Sequence, residues 1–368
     1  MKTGLYVHIP FCPAKCFYCS FAVCVGQEAK ADAYLDDLVV EGQSYAGARI
    51  GTVYVGGGSP SQLTDAQISA LFAGLRSIFS FDKNAEISFE INPEHFSRVT
   101  AEVLSRCGVN RLSIGAQTWD DRRLRNLGRR HSADITLRAF AAARNAGFKN
   151  ISLDLLFGFS GQTRRALIDD LKKTLVLSPE HVSLYALTVE PGSRFFRDKV
   201  SAASPEKQTL FFGEIIDELT AAGYAHYEVS NFAKPGFAAR HNLNYWEGGN
   251  YIGLGASAHS HLDGHRFWNE PVFLKYFKRM RAENSALAGE EYLTPEQRLK
   301  ESLVFGLRKM AGIDMEAVEK SIGCVWDPAT RERIEAFSVA GLLSRSGKML
   351  RVTRRGLFLL DEISRRLL

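Results

Sequence analysis

Short apolar runs alternate with segments of helical periodicity along the first half of the chain. The runs are rich in β-branched and aromatic residues, and they lie at 5–9, 52–55, 86–91, 111–115, 150–156 and 181–187. Apolar residues recur at helical spacing between them, at 65–78, 101–106, 135–146 and 164–177. Because parallel neighbouring strands need crossover connections, six strand–helix units in series predict a parallel α/β sheet. We expect an incomplete (βα)6 barrel, with an open doubly wound sheet as the alternative.

The pattern changes after about residue 195. A predicted helix at 205–222 and a strand near 224–230 lead into a region rich in His, Gly and aromatic residues. A periodic helix at 295–310 opens a last unit that ends in a helix-plus-wing pattern. We therefore predict three parts: a partial barrel, an extension packing on the barrel, and a small, mainly helical, winged-helix-like domain. Their expected ranges are 1–235, 236–288 and 289–368.

Polar residues stand where the predicted strands end. A Gly-Gly-Gly-Ser-Pro run at 56–60 follows the second strand, and the later strands end in or contain Glu90, Gln117 and Asp154. Ligands collect at the carboxyl ends of parallel strands, and buried polar groups need partners. The pattern therefore predicts a polar ligand at this rim.

Three cysteines follow the first strand at the same rim. Cys12, Cys16 and Cys19 have C-x3-C-x2-C spacing. A structural zinc site closes with four ligands, whereas a cubane iron–sulfur cluster held by three thiolates keeps one iron open to a small molecule. The spacing therefore favours chemistry at an open iron. The alternative is a zinc knuckle completed by His8 or Cys24.

Composition restricts the setting of this chemistry. The six cysteines do not form a disulfide-like framework, and no apolar run reaches the length of about 18 residues expected of a membrane span. We therefore expect a cytoplasmic protein without a membrane span. The net charge of +5 is modest, and basic runs near the C-terminus are interpreted as solvated surface rather than nucleic-acid contacts.

Taken together, the cysteine motif, the glycine run and the strand-end polar residues resemble the radical S-adenosylmethionine (SAM) superfamily. Within it, the Tyr-Val-His-Ile-Pro-Phe-Cys run at 6–12 resembles the oxygen-independent coproporphyrinogen III oxidase group. The resemblance covers nearly the whole chain and is strongest to the HemW branch, described as heme chaperones. The resemblance to this branch rests on the segments at 127–131, 222–228, 233–236 and 241–246.

This resemblance implies a set of cofactor contacts. Cys12, Cys16 and Cys19 would ligate a [4Fe-4S] cluster whose open iron is chelated by SAM, and reduction would cleave SAM to methionine and a 5′-deoxyadenosyl radical. The positions that match contacts to the cluster-bound SAM in the oxidases are Tyr6, Tyr18, Gly57 and Glu90. The positions that match the lining of a second SAM are Gly58, Ser59, Gln117, Arg129, Asp154 and Ala186.

Heme is the other ligand that the resemblance implies. Imidazole is a common axial ligand of heme iron, and His241 is the preferred candidate, with His259 and His261 as alternatives.

Two departures from the oxidases favour the chaperone branch. Phe21 stands where the oxidases carry a fourth cysteine, and only five residues precede Tyr6, where the oxidases carry an N-terminal extension that covers the active site. The expected function is therefore delivery of heme to an apo-hemoprotein, with an electron donor such as a flavodoxin or ferredoxin. The alternative is oxidative decarboxylation of coproporphyrinogen III to protoporphyrinogen IX. A weaker hypothesis is a nucleic-acid-modifying radical enzyme.

Overall fold

The computed structural model describes residues 3–368, so residues 1 and 2 of the predicted barrel lie outside it. The strands are β1 Thr3–Ile9, β2 Arg49–Gly57, β3 Ser80–Ile91, β4 Arg111–Gln117, β5 Ile151–Phe157, β6 His181–Ala186, β7 Ala225–Glu228, β8 Asn231–Ala233, β9 Tyr251–Leu254, β10 His259–Leu262, β11 His265–Asn269, β12 Leu287–Tyr292, β13 Ile313–Asp314, β14 Leu343–Ser346 and β15 Met349–Val352. The α-helices are α1 Ala31–Gly42, α2 Asp65–Ile78, α3 Arg98–Arg106, α4 Asp121–Asn126, α5 Ala133–Asn145, α6 Arg164–Leu177, α7 Arg194–Arg197, α8 Pro205–Ala221, α9 Arg240–Trp246, α10 Phe273–Glu283, α11 Pro295–Gly306, α12 Met315–Ile322, α13 Pro328–Val339, α14 Arg354–Leu357 and α15 Leu360–Leu367.

The six predicted strands form the centre of the fold. Strands β1 to β6 lie side by side in chain order, and every neighbouring pair among them is parallel. Helices cross between them, as in α2, where Thr64 and Gln67 form a reciprocal capping box that fixes the helix start. The predicted incomplete α/β barrel is confirmed, because the sheet runs from β12 to β7 without closing on itself.

The sheet continues beyond this centre on both sides. Strand β9 pairs in parallel with β1 and leads to the antiparallel strands β10, β11 and β12, while β8 and β7 follow β6. The sequence pattern did not reveal β12, because five of its six residues are exposed and carry no hydrophobic alternation. The barrel and the extension therefore share one sheet, and their division at residue 235 stays a prediction.

The two faces of the central strands differ in chemistry. In β2, Val53 and Val55 are fully buried in the hydrophobic core, while Tyr54 between them donates to Glu90 on the inner face. Period-two alternation thus directs apolar side chains to the core and polar ones to the interior of the barrel. Glu90 and Gln117 stand at the carboxyl ends of β3 and β4, so polar groups reach that rim of the barrel.

The last part of the chain is mainly helical with a small antiparallel sheet in the order β13-β15-β14, as predicted. It is joined to the barrel by the Met310 amide, which donates to the Tyr227 carbonyl oxygen, and by the ion pair between Arg354 and Asp217. No helix within residues 3–368 is both long and apolar enough to cross a bilayer.

Candidate functional site

The segment from Pro10 to Cys24, here called the cysteine loop, closes on its own base. The Cys12 amide donates to the Cys24 carbonyl oxygen at 2.9 Å, and the Cys24 amide donates to the Pro10 carbonyl oxygen at 2.8 Å. Cys12, Cys16 and Cys19 are half-buried free thiols on this loop. The loop therefore presents three sulfur ligands from a short, closed segment directly after β1.

Phe17 is held from two sides by distant parts of the chain. Its amide donates to the Leu127 carbonyl oxygen at 2.9 Å, and its carbonyl oxygen accepts from the Phe195 amide at 2.8 Å. Gly128 has φ +75°, and a Cβ there would lie 2.6 Å from the Phe17 ring. Only glycine fits that approach, so the sequence at 127–131, which predicted the branch, serves to support the cysteine loop.

Arg129 links this support to the sulfur ligands. Its Nη1 donates to Cys16 Sγ at 3.5 Å, and its Nη2 donates to the Gly115 carbonyl oxygen at 2.8 Å. A buried guanidinium at this position stabilises negative charge on the sulfur. Its Nε is buried and has no hydrogen-bond partner among residues 3–368, which leaves one donor for a ligand.

The thiols have the electrostatics of a site that needs metal. Burial raises the pKa of Cys12 to about 12, with a further contribution from Cys16 and Cys19, and burial also raises the pKa of Cys19. Ionisation of Cys12 and Cys19 is therefore favoured when bound cations compensate the charge. Cluster irons supply such cations, so the donor set fits an iron–sulfur cluster.

A single-ion site fits less well. Within residues 3–368, no three His, Cys, Asp or Glu side chains converge as ligands of one metal ion. In a cubane each thiolate binds a different iron, so its sulfur ligands stand further apart than those around one zinc. His8 is also engaged: its Nε2 lies 2.9 Å from the Ala22 carbonyl oxygen and its Nδ1 lies 2.9 Å from the Tyr6 hydroxyl. A zinc knuckle completed by His8 would have to break these hydrogen bonds.

The glycine run lies against Glu90. Glu90 accepts from the Tyr54 hydroxyl at 2.7 Å and from the Gly57 amide at 3.1 Å. A Cβ on Gly56 would lie 2.9 Å from the Glu90 carboxylate. Gly57 has φ +109°, and a Cβ on it would lie 2.5 Å from the His8 ring. Packing against protein groups alone thus requires glycine at both positions.

Within residues 3–368, Glu90 is a half-buried acid without a cationic partner in its hydrogen-bond shell. Burial raises its pKa to about 7, with Asp154 adding to the rise and the Tyr54 hydrogen bond opposing it. Both of its donors, the Tyr54 hydroxyl and the Gly57 amide, are neutral. An ammonium group would favour the ionised carboxylate, and this is the group that the resemblance assigns to Glu90.

Other predicted residues line the same end of the barrel. Asp154 accepts from the Ser113 and Ser152 hydroxyls at 2.7 and 2.8 Å, and burial raises its pKa. Gln117 and Arg129 converge beside Gly115. The position that a Cβ would take on Gly115 lies 2.8 Å from Gln117 Nε2 and 2.9 Å from Arg129 Nη2.

Of the remaining predicted SAM positions, Tyr6 lies in the middle of β1, and the others lie at or just after strand ends or on the cysteine loop. The Gly58 amide donates to the Ile9 carbonyl oxygen, and the Ser59 hydroxyl is buried without a partner among residues 3–368. Ala186 ends β6 and is exposed. Tyr18 is half-buried beside Arg129 and Cys16, and desolvation raises its pKa. Tyr6 stacks on Tyr54 at 6.4 Å.

Two interior tyrosines were absent from the prediction. Tyr54 holds Glu90, and Tyr185, 44 % exposed on β6, lies within the electrostatic range of Asp154 and Glu90. The alternation of residue types along β2 and β6 places both on the inner face, which was the available signal. Aromatic residues in strands more often indicate core packing, and for this reason the two tyrosines were not recognised as site residues.

His241 lies at the other end of the barrel. Its ring lies 3.3 Å from the position that a Cβ would take on Gly4 in β1. Gly4 comes five residues before Ile9, where β1 ends, and this corresponds to about 16 Å along the strand. The cysteine loop begins directly after Ile9. The His241 Nδ1 is hydrogen-bonded to Thr52 and its Nε2 to Tyr245, both at 2.9 Å. The structure therefore does not bring His241 together with the cluster ligands, and its role as a heme ligand stays a prediction.

The side chain of Glu86 explains the placement of His241. Its two carboxylate oxygens accept from the Arg240 and His241 amides at 3.1 and 3.0 Å, which fixes the start of α9. Burial lowers the pKa of His241 to about 3, so the ring is neutral. The alternative heme ligands, His259 and His261, lie on β10, where His259 stacks on Trp268 at 5.8 Å and His261 Nδ1 lies 3.4 Å from the Gly249 carbonyl oxygen.

Comparison with known proteins shows which families and folds the chain resembles. The radical SAM superfamily profile matches residues 6–174, and the HemN C-terminal domain profile matches residues 293–359. The solved structure of coproporphyrinogen III oxidase (HemN) from Escherichia coli, described as a radical SAM enzyme, superposes with a TM-score of 0.89 at 26% identity, covering 100% of this chain and 90% of that one.

Sequence relatives identify the branch. The heme chaperone HemW of Lactococcus lactis is 33% identical over 98% of both chains, and that of Bacillus subtilis is 32% identical over 99% of this chain and 98% of its own. The heme chaperone HemW of Escherichia coli is 37% identical over 70% of this chain and 69% of its own. Since similarity at this level extends over essentially the full length, the chain belongs to the HemW family of the radical SAM superfamily.

Proposed function

We propose that this protein is a heme chaperone that binds a [4Fe-4S] cluster, SAM and heme and delivers the heme to apo-hemoproteins. The observation that carries the proposal is the 33% identity to a heme chaperone over 98% of both chains. The exposed Phe21, which stands where the resemblance to the oxidases calls for a fourth cysteine, favours the same conclusion.

The residues of the site have separate tasks in this proposal. Cys12, Cys16 and Cys19 ligate the cluster, while Arg129 beside Cys16 stabilises negative charge on the sulfur. Glu90 accepts a hydrogen bond from the ammonium group of SAM, a charge-assisted contact that compensates its burial. When bound, the cluster and SAM supply one-electron chemistry, and the protein positions them.

The second set of residues would hold further ligand groups at the barrel mouth. Arg129 has an unpartnered buried Nε, and Ser59 has an unpartnered buried hydroxyl, within residues 3–368. Buried polar groups without partners are costly, so a bound polar ligand that pairs with them stabilises the site. We propose Gly58, Gln117, Asp154 and Ala186 as the rest of this lining.

The proposed partners follow from the chemistry. The cluster needs an electron donor, for which we propose a flavodoxin or ferredoxin, and the heme needs an apo-hemoprotein that receives it. We propose a cytoplasmic location and no nucleic-acid partner.

Two assays on one anaerobically reconstituted sample test the function. The protein is loaded with hemin and mixed with apomyoglobin, and the appearance of holomyoglobin is followed by absorbance. Separately, it is incubated with reductant, SAM and coproporphyrinogen III, and protoporphyrinogen IX is quantified after oxidation. We expect heme transfer without decarboxylation. Robust decarboxylation without stable heme binding would instead support the oxidase, which the TM-score of 0.89 to HemN keeps as the second candidate.

A further inference from the structure

A cleft of about 440 Å³ lies between the cysteine loop and the segment that follows β6. Its walls include Lys15, Cys16 and Phe17 from the loop, and Arg194, Phe196 and Arg197 from the other side. The volume falls within the range of about 300–1,000 Å³ that is usual for small-molecule sites. None of the residues assigned to SAM lines this cleft, so it is a separate candidate site next to a cluster ligand.

The cleft carries an excess of positive charge. Lys15, Arg194 and Arg197 contribute three cations, and the Nε atoms of both arginines share a single acid, Asp198, at 2.9 and 3.2 Å. Their side chains are 50% and 73% exposed, and within residues 3–368 no hydrogen bond engages their Nη groups. These guanidinium edges are therefore available to carboxylates, which arginine binds in a bidentate manner.

The other property of the cleft is aromatic. The Phe17 ring lies beneath the Arg194 guanidinium at 4.0 Å, and Phe196 is 54% exposed. Aromatic faces beside guanidinium groups suit a flat apolar ring system that carries carboxylates at its edge. Heme combines these features, since it has a planar macrocycle and two propionates.

We propose that this cleft binds heme, with the propionates paired to Lys15, Arg194 and Arg197 and the macrocycle against Phe196 and the edge of Phe17. This assignment rests on the proposed heme-binding function and gives that function a location. Heme bound there would contact the same loop that holds the cluster ligands. It would also lie at the opposite end of the barrel strands from His241. A docking site for an acidic protein is less well supported, because the basic groups line a concavity of small-molecule size rather than a broad surface.

Charge reversal in the cleft tests the proposal. Hemin is titrated into the cluster-reconstituted, full-length protein, and binding is followed by the Soret absorbance. Arg197→Glu removes one charge-assisted contact and adds repulsion, so we expect the hemin Kd to rise at least tenfold. The matched control is Arg165→Glu on α6, an arginine 92% exposed that likewise has one aspartate partner, Asp169. We expect the control to change the Kd less than twofold.

A second probe separates carboxylate recognition from general charge effects. The dimethyl ester of hemin keeps the macrocycle but lacks both carboxylates, so it should bind the wild type and Arg197→Glu with equal affinity. Circular dichroism and iron content show whether each variant is folded and loaded. If Arg197→Glu does not fold, Arg197→Lys and Arg197→Ala replace it, and the lysine variant should bind hemin more tightly than the alanine variant.

Several results would overturn the assignment. Unchanged hemin binding by Arg197→Glu is one, and equal weakening by the Arg165 and Arg197 variants is another. Retained hemin binding together with loss of flavodoxin binding in Arg197→Glu would make the cleft a donor-docking surface. Absence of hemin binding by the wild type would instead contradict the proposed function itself.

Discussion

Replacing Glu90 by glutamine tests whether the barrel holds a carboxylate prepared for a cationic ligand. Desolvation raises the pKa of the half-buried Glu90 to about 7, compared with an ordinary value of 4.5. The difference corresponds to about 3 kcal/mol of cost for holding the ionised form in the folded protein without its ligand. In Glu90→Gln the amide side chain would keep the shape and an acceptor oxygen but would not titrate.

The sign of the pH dependence follows from which state ionises first. The unfolded chain releases the Glu90 proton near pH 4.5 and the folded protein near pH 7, so stability falls as pH rises between these values. The free energy of unfolding of the wild type relative to Glu90→Gln should therefore decrease by about 3 kcal/mol between pH 4.5 and pH 8. Urea denaturation of the cluster-free proteins measures this difference. The exposed Glu102, replaced by glutamine, is the control.

Binding of SAM should reverse the effect. At pH 7 about half of the Glu90 carboxyls are protonated, and a bound ammonium group would ionise them. SAM binding to the cluster-loaded wild type should therefore release about half a proton more than binding to Glu90→Gln. Calorimetry in buffers of different ionisation enthalpy gives this number, and the variant should bind SAM at least tenfold more weakly. Parallel pH profiles, or equal proton release by the two proteins, would refute the reasoning.

Two further substitutions test the supports of the site. Gly128→Ala places a Cβ 2.6 Å from the Phe17 ring and should lower iron loading at least twofold. The control is Gly147→Ala, at a glycine that also has positive φ but has open space around its Cβ position. This variant should keep full iron content and lose about 1 kcal/mol of stability. Equal iron loading in the two variants would contradict the inference that the packing of Gly128 against Phe17 supports the cysteine loop. Glu86→Gln weakens the cap on the Arg240 and His241 amides and should lower the free energy of urea unfolding by about 1–3 kcal/mol with little change in iron content; a loss below about 0.5 kcal/mol would show that the cap contributes little.

Local periodicity was sufficient to predict the central sheet. The helices at 65–78 and 164–177 agree with α2 and α6 to the residue, because apolar spacing and side-chain caps at Thr64 and Thr163 coincide there. The run at 86–91 was only the end of β3, since the first half of the strand lacks a continuous apolar pattern and Ser80, Lys83 and Asn84 are polar and exposed. Strands whose side chains are exposed leave no burial pattern to read.

The geometry of the candidate site was only partly accessible from sequence. Strand-end position placed Glu90 beside the glycine run, because the ends of parallel strands meet at one rim. The two backbone hydrogen bonds of Phe17 join it to Leu127 and Phe195, each more than 100 positions away in sequence. No local sequence pattern encodes such contacts. The partners of His241 were hidden for the same reason: Thr52 lies on a strand far from α9 in sequence.

The cluster itself gives the most direct test. The wild type, Cys16→Ala and the matched control Cys107→Ala, whose cysteine is a half-buried thiol outside the loop, are purified and reconstituted without air. Iron and acid-labile sulfide are then measured per chain. The wild type and Cys107→Ala should each hold about four irons and about four sulfides, and Cys16→Ala should hold almost none. A wild type without sulfide, or full retention of iron by Cys16→Ala, would contradict the assignment of this loop as the cluster site.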